Sequence, residues 1–181
     1  MIKARRAVPA NIEEPGPAGE ALRAEIGQEA YDLNVQQFCC AGLNFGYFYR
    51  DSPILADDDE APPAYSMGSF TPSTVPGCRA PHFWLADGRS LYDAFGLGYT
   101  LLRFDPGADV QPLLAAAQSR AMPLELVDVQ AGEVPPAYRH KLVLCRADQH
   151  VVWRSDAVPA DAAGLVDLLR GARREPVRLA A

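Results

Sequence analysis

His140-Lys141-Leu142-Val143-Leu144-Cys145-Arg146-Ala147-Asp148-Gln149-His150-Val151-Val152-Trp153-Arg154 is the stretch that decides the fold. It reads as two strands, 140–146 and 150–154, separated only by Ala147-Asp148-Gln149. So short a connection forces an antiparallel hairpin. Downstream, Leu165, Leu168 and Leu169 supply the buried stripe of a helix over 161–172, with Pro159 and Asp161 at its N-cap. Upstream, the apolar periodicity alternates between strand and helix: strand 82–85, helix 90–95, strand 99–104, helix 109–120, strand 124–129.

That order, β-α-β-α-β-β-α, matches the thioredoxin-like arrangement, an α/β fold in which a mixed sheet is covered by helices on both faces. Ahead of it, Leu22, Ile26, Ala30, Leu33 and Phe38 recur at helical spacing and predict a helix over 18–37. Residues 44–50 read as a short aromatic strand with Phe45, Tyr47 and Tyr49 on one face. Residues 51–80 read as a long proline-rich linker, and its acidic run Asp57, Asp58, Asp59, Glu60 as a solvated loop rather than a calcium site. Two regions follow: 1–80, an N-terminal helical arm with strand and linker, and 81–181, the thioredoxin-like domain.

The 181 residues suffice for one ordinary core without metals or disulfides. A formal net charge of -6 disfavours nucleic acid as a partner, because a phosphate backbone is held by concentrated Lys and Arg. No stretch approaches the roughly 20 apolar residues of a membrane helix, and residues 1–10 lack the apolar core of a signal peptide, so a cytoplasmic location without membrane contact is expected. Cys39, Cys40, Cys78 and Cys145 stand at no CxxC or zinc spacing and read as reduced packing residues.

Residues 79–93, Arg79-Ala80-Pro81-His82-Phe83-Trp84-Leu85-Ala86-Asp87-Gly88-Arg89-Ser90-Leu91-Tyr92-Asp93, followed by Gly98-Tyr99-Thr100-Leu101-Leu102-Arg103-Phe104, resemble the start of the C-terminal domain in class A FAD-dependent aromatic hydroxylases. Arg146 to Arg154 resembles a second block of that family, with Ala147 where the family usually has proline, a departure confined to the turn. The resemblance reaches back through 72–77, 46–53 and, weakly, 15–23. It implies an origin beside a large N-terminal part that holds FAD, receives NADPH and forms the aromatic substrate pocket. Nothing in this chain corresponds to that part: no G-x-G-x-x-G follows a strand, and Gly96-Leu97-Gly98 stops short because Leu101 takes the third glycine position.

No catalytic, cofactor-binding or metal-ligating residue is therefore assigned, and no cofactor is expected on this chain. In a redox-active thioredoxin fold the thiol pair opens the first helix, a place assigned to Ala86-Asp87-Gly88-Arg89-Ser90, which holds no cysteine. Cys145 reads as buried and inert, and His82, His140 and His150 as structural. Asp87-Gly88 reads as a tight turn, Ser90 as an N-cap with Asp93 as its partner, and Trp84 and Trp153 as core or interface anchors. The candidate interface comprises Arg79, His82, Trp84, Asp87, Arg89 and Arg103, the arginines being suited to carboxylates of a neighbouring flavin domain. The leading expectation is a non-catalytic domain that packs on a flavin-binding monooxygenase core or forms a homodimer through its arm. A free-standing interaction or ligand-binding module is the alternative, and a thiol oxidoreductase ranks last.

Overall fold

The computed structural model describes residues 8–130 and 132–172, apart from the side chains of Gln36 and Gln37; the sequence readings at 1–7 and beyond 172 lie outside the described residues. Its centre is a four-stranded sheet of β1 (Tyr99–Arg103), β2 (Leu124–Asp128), β3 (Leu142–Cys145) and β4 (Val151–Ser155), in the order β2-β1-β3-β4. β1 pairs parallel with β2 and antiparallel with β3, and β3 pairs antiparallel with β4, so the sheet is mixed as expected. Before β1 come α1 (Pro17–Phe38) and α2 (Ala41–Phe45); α3 (Gln111–Ser119) crosses from β1 to β2, and α4 (Ala162–Leu169) follows β4.

Alternation along the strands divides the core in two. Leu101, Leu142 and Leu144 point to one face, where Val110, Leu113 and Ala117 from the α3 side meet Leu165, Val166, Leu168 and Leu169 of α4. Leu102, Val143, Cys145 and Val151 point to the other, against Ala80, Phe83, Leu85 and Leu91. Strands buried on both faces read as continuous apolar runs, which is why Leu142-Val143-Leu144-Cys145 shows no polar residue. Asp161 caps α4 by accepting from the Gly164 amide at 2.7 Å.

Among the described residues, the second face is covered by loop and a 3-10 turn rather than by an α-helix. The expected strand at 82–85 is a hairpin-like loop instead: Leu85 N bonds Arg89 O at 2.9 Å and Leu91 N bonds Phe83 O at 3.1 Å, so the segment satisfies its amides on itself and not on the sheet. The expected helix at 90–95 shrinks to one 3-10 turn, Leu91–Ala94, capped by Ser90. The first strand of the sheet in chain order is therefore β1, one strand later than anticipated.

The aromatic strand expected at 44–50 is also absent. Residues Ala41–Phe45 close a helical turn, Gly46 N bonding Gly42 O at 2.8 Å, and only Phe48 makes a bridge, to Cys78. Nor is 51–80 a free linker. Leu55 and Ala56 lie in the main core, Ser73 to Cys78 are buried, and Asp58 and Glu60 bond Arg154 rather than facing solvent alone. By contrast α1 forms where expected but packs chiefly on the 3-10 turn Ala10–Glu13, leaving Tyr31, Leu33 and Phe38 exposed.

Candidate docking face

The loop over the second sheet face points its side chains alternately inward and outward. Phe83 and Leu85 enter the core, which fixes His82 and Trp84 on the outside, Trp84 with 64 % of its surface exposed. The turn is closed by Asp87 and Gly88: Gly88 takes φ +82°, a left-handed conformation natural for glycine, and its amide bonds Leu85 O. At its tip Arg89 and Asp87 bond each other at 2.7 Å, and the Asp87 carboxyl is held low first by the Arg89 amide and then by its guanidinium.

His82 is locked in place. Its Nε2 lies 2.9 Å from Ser90 Oγ, and its ring stands edge-on to Trp84 (centroids 5.0 Å apart) and packs against Tyr92 (5.3 Å). Tyr92 is anchored through its hydroxyl on Ala80 O at 2.6 Å, and burial pushes that hydroxyl's pKa up. Arg79 continues the row, its guanidinium 5.1 Å from the Tyr92 ring centre and 5.4 Å from that of Phe45, and bonded to the Gln149 side-chain oxygen. Phe45 in turn contacts Phe70 at 6.1 Å. A band therefore runs Phe70, Phe45, Arg79, Tyr92, His82, Trp84. A groove of about 330 Å³ opens next to Phe45 and Arg79, walled by Tyr47, Asp148, Gln149 and His150.

Of the residues singled out in the sequence, Arg79, His82 and Trp84 share this band, and Asp87 with Arg89 forms a charged rim at the turn beyond Trp84. Arg103 stands apart, its guanidinium engaged by both oxygens of Asp128 and by Ala108 O. Tyr92, Phe45 and Phe70 were missed: their place in the band depends on ring contacts between separate segments of the chain. Trp153 is a core residue, 5 % exposed. His150 is buried, its Nδ1 on Asp148 O at 3.0 Å and its ring 4.8 Å from that of Tyr49.

Because β1 is the first strand of the sheet, the turn that opens the first helix is 104–110, not 86–90. It holds Phe104-Asp105-Pro106-Gly107-Ala108-Asp109-Val110 and no thiol. Nor do its residues fit the pyrophosphate of a flavin cofactor. Asp105 accepts the Gly107 amide at 2.8 Å and Asp109 the Gln111 amide at 3.0 Å, so donors a phosphate would use are already bonded to carboxylates that would repel it. Cys145 and Cys78 are buried, and burial raises both thiols, which opposes the thiolate that exchange chemistry requires. Among the described residues no His, Cys, Asp or Glu cluster has metal-site geometry, and no helix is long and apolar enough to cross a membrane.

The sheet order and the α-helical cover on one face define a thioredoxin-like α/β domain with an aromatic outer surface in place of a thiol site. Residues 73–175 match the family model for the C-terminal domain of aromatic-ring hydroxylases, and the chain belongs to that family. It is 36% identical over 158 residues to the FAD-dependent monooxygenase apdD of Emericella nidulans, covering 81% of this chain and 25% of the relative. Phenol 2-monooxygenase of a Pseudomonas species is 29% identical over 180 residues, covering 89% of this chain and 29% of the relative. Among solved structures, the rebeccamycin biosynthetic enzyme RebC with reduced flavin superposes with a TM-score of 0.73 at 37% identity, over 93% of this chain and 31% of RebC. The chain thus spans between about a quarter and a third of the length of these relatives.

Proposed function

We propose that this chain is a non-catalytic docking domain that packs on the flavin-binding part of an FAD-dependent aromatic monooxygenase in the cytoplasm, through the end of the band formed by His82 and Trp84. The observation that carries the reading is Trp84: a large aromatic, 64 % exposed, held edge-on by a histidine that is itself fixed by Ser90 and Tyr92. A pre-ordered, exposed aromatic beside a charged rim has the character of an interface hot spot. The relatives' length supplies the occupant, since two thirds or more of each lies outside the matched region. Hydroxylation, FAD and NADPH belong in this reading to that other part.

The purified chain is expected to be colourless. Gel filtration after incubation with FAD should leave no flavin absorbance with the protein, whereas stoichiometric retained flavin would overturn the assignment of cofactor binding to the partner. Mixed with the separately expressed flavin-binding part of such a monooxygenase, the chain should co-elute as a yellow complex. Separate elution, or self-association of the chain that excludes the flavoprotein, would replace docking with a homodimer or a free-standing module.

A further inference from the structure

We propose that residues 54–80 form a strap over the outer edge of β4 that opens and closes as one unit, with the Arg154 side chain as its latch. An edge strand presents unpaired amides and carbonyls, and proteins cover such edges. Here the cover is irregular chain: Ala56 N bonds Val152 O at 2.9 Å, Gly77 N bonds Val151 O at 2.7 Å, Val151 N bonds Cys78 O at 2.9 Å and Ala80 N bonds Gln149 O at 2.8 Å. Gly77 is required at the crossing, because it takes φ +94° and a Cβ there would lie 2.3 Å from Tyr49 O.

Arg154 rises from β4 beneath this cover with its side chain 2 % exposed. Its Nε donates to Asp58 Oδ2 at 2.6 Å, its Nη2 to Glu60 Oε2 at 2.8 Å and its Nη1 to Thr74 Oγ1 at 3.1 Å. All three acceptors belong to the strap. The closed state is therefore favoured by more than its own contacts, since lifting the strap would strip a buried guanidinium of Asp58, Glu60 and Thr74 at once. Between the two anchored ends, residues 57–72 contain no helix or strand and are largely exposed, and Arg139 adds a second cation to Glu60. Most of both core clusters comes from the sheet, α3, α4 and the 83–91 loop, so the fold beneath can persist when the strap lifts.

The strap also carries Phe70 and Arg79, both of which meet Phe45, so its closure completes one half of the aromatic band; this consequence rests on the docking reading, while the test below does not. Amide hydrogen exchange on the full chain reads the strap directly. The amides of Ala56, Gly77, Ala80 and Val151 should exchange together, at least tenfold faster than those of the β1–β3 ladder. Arg154→Met, which replaces the cation by an apolar side chain of similar length, should speed that group about tenfold further while leaving the ladder amides unchanged. Edge and ladder amides exchanging at one common rate in the native chain would overturn the proposal, as would an Arg154→Met chain in which both accelerate equally. If that variant does not fold, the grouping of rates in the native chain decides.

Discussion

Trp84→Ala is expected to weaken association with the flavin-binding partner by about 30-fold, on the order of 2 kcal/mol, while leaving the isolated chain's stability within about 0.5 kcal/mol. The two halves of this expectation have separate causes. Trp84 is 64 % exposed and contributes to neither core cluster, so its loss removes little that the fold uses. In a complex the same ring would be desolvated, and desolvated aromatic anchors carry much of an interface's binding energy. His82→Ala should weaken docking in the same direction, because it removes the edge-on contact that holds Trp84 in place. Titration calorimetry with the flavin-binding polypeptide gives the affinity and thermal unfolding gives the stability. A Trp84→Ala chain that binds as tightly as the native one would place the docking face elsewhere.

Leu144→Ala should have the largest effect on stability, a loss of about 2–5 kcal/mol. Leu144 is fully buried in β3 and stands opposite Leu101 on one side and Trp153 on the other. It faces the cluster shared with α3 and α4, whose packed helices leave the cavity only partly able to collapse. Against a total stability on the order of 5–15 kcal/mol for a domain, such a loss populates unfolded chain visibly. Urea unfolding followed by the fluorescence of Trp153 and Trp84 measures it as a shift in midpoint at constant slope. A change under about 1 kcal/mol would show that the two-cluster core described here is wrong at its centre.

The sheet and its helices were legible because burial on both faces writes a strong local signal. Leu142-Val143-Leu144-Cys145 is continuously apolar, and the three-residue connection to Val151 leaves only a hairpin. The loop at 82–91 misled for the same reason. Phe83 and Leu85 alternate with His82 and Trp84 as in a strand, and periodicity does not reveal whether the amides are paired to a neighbour or back onto the same loop. In residues 51–80, prolines and acids have the composition of a linker, yet Asp58 and Glu60 are held by Arg154, 96 and 94 positions away. No local window contains that pairing. The candidate face was half legible: Arg79, His82 and Trp84 were singled out in the sequence, whereas Tyr92 and Phe45 join them only through the folded surface, and Arg103 proves to be committed to Asp128.

The central claim, that this domain docks through the His82–Trp84 face, is tested most directly by comparing amide exchange of the chain alone and mixed with the flavin-binding polypeptide. The docking face predicts slowed exchange over residues 82–97 and 44–47, with α3 and the outer edge of β2 unchanged. Protection confined to α3 and β2, or none at all at saturating flavoprotein, would contradict it.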